Sequence, residues 1–350
     1  MDVEKDIVWV SVPFAAGVLA AQAVHVDLYL AAGASLLAVA ALLALCCRGR
    51  CGMPASVLLY LSLGAWCFWS GSLAGPPRIV LPGGMERVRS LILSTGFDGT
   101  YTEALVEALL TGDRSGLGQD TVEAFRKSGA SHILALSGLH LGIIYLIAGK
   151  CLAVLGRSRP AGIARSVALI GLCGLYASAT GASPSITRAF LFISINELAR
   201  MDPSRERRPL NIYCTALVLQ LAFDPTVISS VGFQLSYLAM LGIFTVFPAL
   251  DSIYDGAGRF DPLKKVWSAI ALSTSCQLLT APLVWLRFHT FPKYFILTNL
   301  ISLPLTEMLV ISAVLTLGLE AAGIHPAAAV RLTDLLAGLL CRSLGIISSM

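Results

Sequence analysis

The sequence predicts an all-α polytopic membrane protein, with about 9–11 transmembrane or half-spanning helices and one outer amphipathic helical segment. Three observations carry this. Hydrophobic residues make up 56% of the 350 and charged residues only 13%, with a mean hydropathy of +0.77. A soluble domain would carry roughly twice that charge. Apolar runs recur along most of the chain, and the two-residue alternation of strands is nearly absent.

The runs fall at 7–24, 28–46, 55–74, 132–156, 166–181, 185–200, 209–223, 232–250, 266–286, 294–319 and 327–347. A spanning helix needs about 20 residues. The runs at 185–200 and 209–223 are short and read as half-helices, which survive at membrane depth only inside protein or beside water. The acidic start Met1-Asp-Val-Glu-Lys-Asp6 lacks the basic region of a cleaved leader. By chain order, 1–75 is an N-terminal membrane segment, 76–131 an extracytoplasmic helical segment and 132–350 a membrane core.

Basic residues set an expected orientation. With the N-terminus cytoplasmic, inner segments hold Lys5, Arg48, Arg50, Lys150, Arg157, Arg159, Arg165, Arg200, Arg205, Arg207, Arg208, Arg259, Lys264 and Lys265. Outer loops hold Arg287 and Lys293, with Arg188 just inside an outer end. The polar stretch 76–131 is then outside. Within it, apolar residues at 104, 105, 108 and 109 have amphipathic-helix spacing. Asp120-Thr-Val-Glu123 has the form of a capping box, with Gly129 as the stop. Two helices lying on the outer membrane face satisfy this pattern.

Nine cysteines fall mostly in apolar runs and read as small buried hydrophobes. Cys46, Cys47 and Cys51 cluster near Arg48 and Arg50, but no CxxC pair or nearby histidine supports a metal there. The five histidines form no His-x-His or His-x-x-x-His and no carboxylate stands beside His132 or His140, so no metal is expected. Phosphate-loop and dinucleotide-loop patterns are missing as well, so neither ATP hydrolysis nor a cofactor is expected.

Four polar clusters enter the membrane from the outer side in this topology. They are His132–His140, Gly181–Arg188, Asp224–Ser236 and Arg287–Asn299. Polar groups at that depth ordinarily face a bundle interior or a wet path. Arg188 is the sharpest residue. One reading is an arginine that snorkels or pairs with a buried acid. The other is a guanidinium aimed at a phosphate or carboxylate, favoured by the lack of an acid three or four residues away. Ser137 and His140 share a helix face, a poor geometry for a nucleophile and its base. Packing through Ser137, Gly138 and Gly142 competes with ligand contact. Gln234, Ser236 and Asn299 suit either interhelical bonding or a polar lining, and Gln277 lies within reach of such a partner. Phe233, Tyr237 and Phe288 would supply aromatic faces.

These motifs carry a resemblance. Ala108-Leu-Leu-Thr-Gly-Asp-Arg-Ser-Gly116, Phe125-Arg-Lys-Ser-Gly129 and His132-Ile-Leu-Ala-Leu-Ser-Gly-Leu-His140 resemble the ComEC/Rec2 competence proteins. Further on, the matching residues are Tyr176, Gly181, Ser185 and Arg188-Ala189, then Asp224-Pro225 and Gly232-Phe-Gln-Leu-Ser-Tyr-Leu-Ala239. Gln277, Pro282, Phe288 and Asn299-Leu-Ile-Ser-Leu-Pro304 complete a likeness over residues 86–318. It implies a bacterial inner-membrane channel for single-stranded DNA in natural transformation, lined by Ser137, His140, Arg188, Gln234, Ser236 and Asn299. Its implied partners are the lipid bilayer, a DNA receptor outside and an ATP-driven helicase or translocase inside. Assembly with further copies of the chain is compatible with it.

Many members add an OB-like domain and a metallo-β-lactamase-like domain. Segment 76–131 is too short and too helical for the first, and no His-x-His-x-Asp-His stretch marks the second. A minimal core or a fragment of a longer protein both fit, and no nuclease or other enzymatic activity is expected of this chain. The rival readings are a secondary transporter for a small anion and an enzyme acting on a membrane substrate, for which a catalytic set is missing.

Overall fold

The computed structural model describes residues 3–24, 27–47, 53–74, 83–97, 100–134, 138–156, 158–201, 208–256, 261–289 and 293–349. The elements are helical, and no strand occurs among the described residues. The first helices are α1 (Val3–Ala23), α2 (Leu28–Cys47), α3 (Met53–Ala74), α4 (Gly84–Thr95), α5 (Thr100–Thr111), α6 (Gln119–Lys127), α7 (Ser131–Leu134) and α8 (Gly138–Cys151). There follow α9 (Arg159–Ala179), α10 (Pro184–Met201), α11 (Pro209–Phe223), α12 (Val231–Thr245), α13 (Phe247–Asp251), α14 (Pro262–Phe288), α15 (Phe295–Ala321) and α16 (Ala327–Ser348). Short 3-10 turns occupy Leu152–Leu155 and Pro225–Ser229.

Met53–Leu73, Arg159–Ala179, Pro262–Phe288 and Phe295–Ala321 are long and apolar enough to cross a membrane. Shorter apolar helices occupy Ile7–Ala23, Leu28–Ala44, Gly138–Val154, Pro209–Phe223 and Val231–Thr245. Leu172, Leu175, Leu278, Leu286, Leu335 and Leu339 point outward. This is a polytopic α-helical membrane protein, with such leucines available to lipid.

The chain packs as two compact units, Met1–Arg78 with Leu191–Gln234, and Ile79–Phe190 with Leu235–Met350. In the first, α1 and α3 approach backbone to backbone. A Cβ on Gly17 would meet the Leu61 carbonyl, and one on Gly64 would meet the Phe14 carbonyl. Glycine permits that approach, the usual means of close helix association in lipid. Phe14 and Val18 are buried at this crossing, and α11 packs on α1 and α3.

The second unit holds the larger core. Leu105 and Leu109 of α5 pack with Phe125 of α6, Leu309 and Ala313 of α15, and Leu336 and Leu340 of α16. On α15, Thr298, Ser302 and Thr306, spaced by four, and Ser312 and Thr316, again spaced by four, are buried hydroxyls. Each but Thr306 has a partner. Thr298 Oγ1 donates to the Ser128 carbonyl at 2.7 Å, and Ser302 Oγ donates to the Thr298 carbonyl at 2.6 Å. Ser312 Oγ and Thr333 Oγ1 of α16 lie 2.7 Å apart. Such bonds satisfy groups that would be costly alone in an apolar core.

Several expectations change in detail. The stretch 83–127 forms three helices, α4 to α6, instead of two. α5 does not lie on a membrane surface as an isolated amphipathic helix. Thr102, Leu105, Val106, Ala108, Leu109, Leu110 and Thr111 are all buried, because α4, α7, α15 and α16 surround it. α6 opens from Gly118 without a side-chain cap, so the expected box at Asp120 does not form, although Gly129 does take a left-handed φ of 82° past its end. The run 132–156 divides into α7, α8 and a 3-10 turn, and 232–250 divides at Val246 into α12 and α13.

Gly64→Ala should lower stability in detergent by about 1–3 kcal/mol, the usual cost of overpacking. Gly33→Ala, where nothing lies within 4 Å of the new Cβ, should not. Chemical unfolding monitored by tryptophan fluorescence compares them.

Candidate functional site

The site begins at the turn between α9 and α10. Gly181 (φ 77°) and Ala182 (φ 47°) are both left-handed. The Ala182 amide donates to the Ala177 carbonyl at 2.8 Å and closes α9. A non-glycine residue in this region is uncommon and strained. Here Thr187 holds it, donating from Oγ1 to the Ala182 carbonyl at 3.1 Å. The chain then enters α10 through Ser183 and Pro184, a residue suited to a first helical turn.

Arg188 lies on the second turn of α10 and is 4% exposed. Its guanidinium folds back toward the helix start. Nη1 donates to the Pro184 carbonyl at 3.4 Å and Nη2 to Ser185 Oγ at 3.2 Å. The Tyr237 ring of α12 lies 5.7 Å from the guanidinium carbon. Among the described residues no carboxylate is within ion-pair distance of Arg188. The buried acid of α10, Glu197, pairs with Arg200 instead, at 3.2 Å. Ser183 Oγ is buried and has no hydrogen-bond partner among the described residues. A buried cation held by a carbonyl, a hydroxyl and a ring at a helix N-terminus is equipped to receive an anion.

α8 abuts this place. A Cβ on Gly138 would sit 3.1 Å from Ala189 Cβ, so Gly138 acts as a packing glycine, whereas Gly142 has nothing within 4 Å. His140, fully buried, follows in the first turn of α8. Ser137 lies outside the described residues. Ser236 is half-buried beside Tyr237 in sequence. Gln234 is used locally, its Nε2 donating to the Ile228 carbonyl at 2.8 Å. Asn299 is half-buried on α15 next to Thr298, and among the described residues no hydrogen bond joins it to Arg188. Phe288 is 54% exposed at the end of α14.

The structure therefore gathers Arg188, Ser185 and Tyr237 with the start of α8. Among the described residues no hydrogen bond joins Asn299 to that group, and Gln234 bonds within its own turn. The hydroxyl row of α15 was missed by sequence reasoning, though the four-residue spacing of Thr298, Ser302 and Thr306 in an apolar run was its visible signal. No group of three or more His, Cys, Asp or Glu residues able to hold a metal occurs among the described residues. The side chains of Cys46, Cys47 and Cys51 lie outside them.

Fold and site define a polytopic helical membrane protein with a buried arginine near a helix start. The chain belongs to the Competence protein family, whose model matches residues 109–350. It is 28% identical over 206 residues to ComE operon protein 3 of Bacillus subtilis (strain 168), covering 59% of this chain and 24% of that protein. It is 26% identical over 262 residues to Competence protein ComA of Neisseria gonorrhoeae, covering 69% and 36%. Uncharacterized protein YcaI of Escherichia coli (strain K12) is 25% identical over 220 residues, covering 61% and 28%. The matched region thus spans no more than 36% of the length of these relatives. No solved structure matches the chain.

Tyr237→Leu should destabilise the protein by about 0.5–2 kcal/mol through loss of the cation–π contact, while Tyr237→Phe should retain most of it. Thermal unfolding in detergent measures both.

Proposed function

We propose that this chain forms the membrane core of a passage for single-stranded DNA taken up in competence, with Arg188 as a phosphate contact. The observation that carries this reading is the burial of Arg188 without a carboxylate among the described residues. A charge so placed needs a counter-ion or water. A planar guanidinium matches phosphate oxygens, and the α10 N-terminus adds a favourable dipole. The Competence family model and the names of the relatives support DNA as the cargo. Tyr237 supplies an aromatic face of the kind that bases stack on.

In this reading Ser185 and Tyr237 hold the guanidinium, and the strand crosses without being cut by this chain. The chain sits in the bacterial cytoplasmic membrane with its N-terminus inside. A receptor outside delivers DNA, and an ATP-driven translocase inside withdraws the strand. A small anion carried by a secondary transporter would use the same buried arginine, so the cargo is what the test must separate.

Arg188→Ala should reduce uptake roughly 10- to 100-fold, the equivalent of a lost charge-assisted bond of about 1.5–3 kcal/mol. Arg188→Lys should recover only part, because an ammonium lacks the planar fork. Transformation frequency at matched membrane protein level reads the effect. Unchanged frequency in Arg188→Ala removes the residue from the route. Saturable phosphate exchange in proteoliposomes, without oligonucleotide entry, would favour the anion transporter.

The orientation has its own test. In a background without native cysteines, Asp120→Cys should react with an impermeant thiol reagent on intact spheroplasts, and Ser158→Cys only after lysis. The reverse pattern would invert the topology.

A further inference from the structure

The α4–α5 hairpin belongs to the second unit, and its contacts hold its base and its tip against different elements. Near its base, Tyr176 of α9 donates its hydroxyl to the Leu110 carbonyl at 2.7 Å. A Cβ on Gly84 would sit 2.8 Å from Ala179 Cα, at the end of α9. Its tip lies elsewhere: Thr95 and Gly96 share a groove with Glu320, Ala327 and Val330, at the turn joining α15 to α16. Tyr101, just past the tip, donates its hydroxyl to the Ala337 carbonyl of α16 at 3.3 Å.

α6 marks the opposite end of the same two helices. Ser128 at its close accepts from Thr298, near the start of α15. Thr121 and Phe125 share a second groove with Cys341 and Leu344, near the end of α16. From Thr298 to Glu320 is 22 residues, or about 33 Å of helix at about 1.5 Å per residue. That matches the roughly 30 Å hydrocarbon thickness of a bilayer. If α15 crosses the membrane, a chain that touches both of its ends reaches through it. This holds for either orientation of the protein.

The face that α4 turns outward is mainly polar, although Met85 and Leu93 are exposed on it as well, at 38% and 57%. Val88, Leu91 and Ile92 turn inward, while Glu86, Arg87, Arg89, Ser90 and Ser94 are exposed. Arg89 Nε lies 3.2 Å from Glu107 Oε1 of α5, yet the arginine side chain is still 50% exposed. Among the described residues the Arg87 side chain has no partner. Charged groups at membrane depth face a protein interior or water, because hydrocarbon does not solvate them.

We propose that α4–α5 is a re-entrant hairpin and that the outward face of α4 lines a water-filled passage at membrane depth. The assignment of that passage to a DNA strand rests on the function proposed above. Mixed signs on this face, Arg87 and Arg89 beside Glu86, offer phosphate contacts without a deep well that would trap a strand.

The test uses the full chain in native membranes with its own cysteines replaced. Thr95→Cys with Val330→Cys should be joined by a short bifunctional thiol cross-linker. An impermeant reagent should reach Asp120→Cys from one membrane face and His325→Cys only from the other. Ser90→Cys and Ser94→Cys should react rapidly with a charged methanethiosulfonate. Absence of the cross-link, or access to Asp120→Cys and His325→Cys from the same face, overturns the re-entrant hairpin. Reaction of Ser90→Cys and Ser94→Cys only with a lipid-soluble maleimide places the face against lipid and overturns the lining. A bulky polyethylene glycol maleimide on Ser90→Cys should then block most transformation. Full labelling with wild-type transformation overturns the hairpin's place in the strand's route, and leaves the Arg188 reading to its own variants.

Discussion

The constraint on which the site depends is electrostatic. Arg188 keeps a charge at 4% exposure with a carbonyl, a serine hydroxyl and a tyrosine ring as its described partners. Removing a cation from water is expensive, and a neutral shell repays part of that cost. A carboxylate would balance the charge and also silence it toward an incoming anion. The strained Gly181–Ala182 turn fits this account. It fixes where α10 begins, and Arg188 is set one turn inside that start.

Around this site the second unit is held by polar groups as much as by apolar ones. The α15 hydroxyls tie that helix to Ser128 near one end and to Thr333 of α16 further along. In hydrocarbon, helices gain little from burying leucine against leucine, so hydrogen bonds and close packing carry a larger share of association. The first unit uses the other device, with Gly17 and Gly64 letting α1 and α3 touch along their backbones. Both units thus present leucines outward and keep their specific contacts inside.

Much of the fold is legible in the sequence, for a physical reason. A helix facing lipid must be apolar along its length, so α3, α9, α14 and α15 stand out as runs. Helix α4 does not. Glu86, Arg87 and Arg89 dilute its apolar face, and Val88, Leu91 and Ile92 are too few to outweigh them in a short window. The depth of α5 is illegible too. Residues 104, 105, 108 and 109 announce a helix, but nothing local announces that Tyr101 meets Ala337, 236 residues away. Arg188 was legible because a lone charge in an apolar run is costly. Its partner ring at Tyr237 was visible as an aromatic, but the pairing was not, since contacts between distant helices leave no trace in a single sequence. Gln234 shows the converse, a polar group in an apolar run that donates within its own turn.

The central claim is that the Arg188 guanidinium meets phosphate of a DNA strand. The most direct measurement is carbon–phosphorus dipolar recoupling by solid-state NMR. It needs the full chain in lipid, with arginine labelled at Cζ and a single-stranded oligonucleotide bound. The account predicts an arginine signal dephased by phosphorus, one component of which is lost in the Arg188→Gln variant and retained when Arg87 and Arg89 are replaced instead, against a background from inorganic phosphate that is clearly weaker. A dephased signal of undiminished intensity in Arg188→Gln, or one that inorganic phosphate reproduces in full, would contradict it.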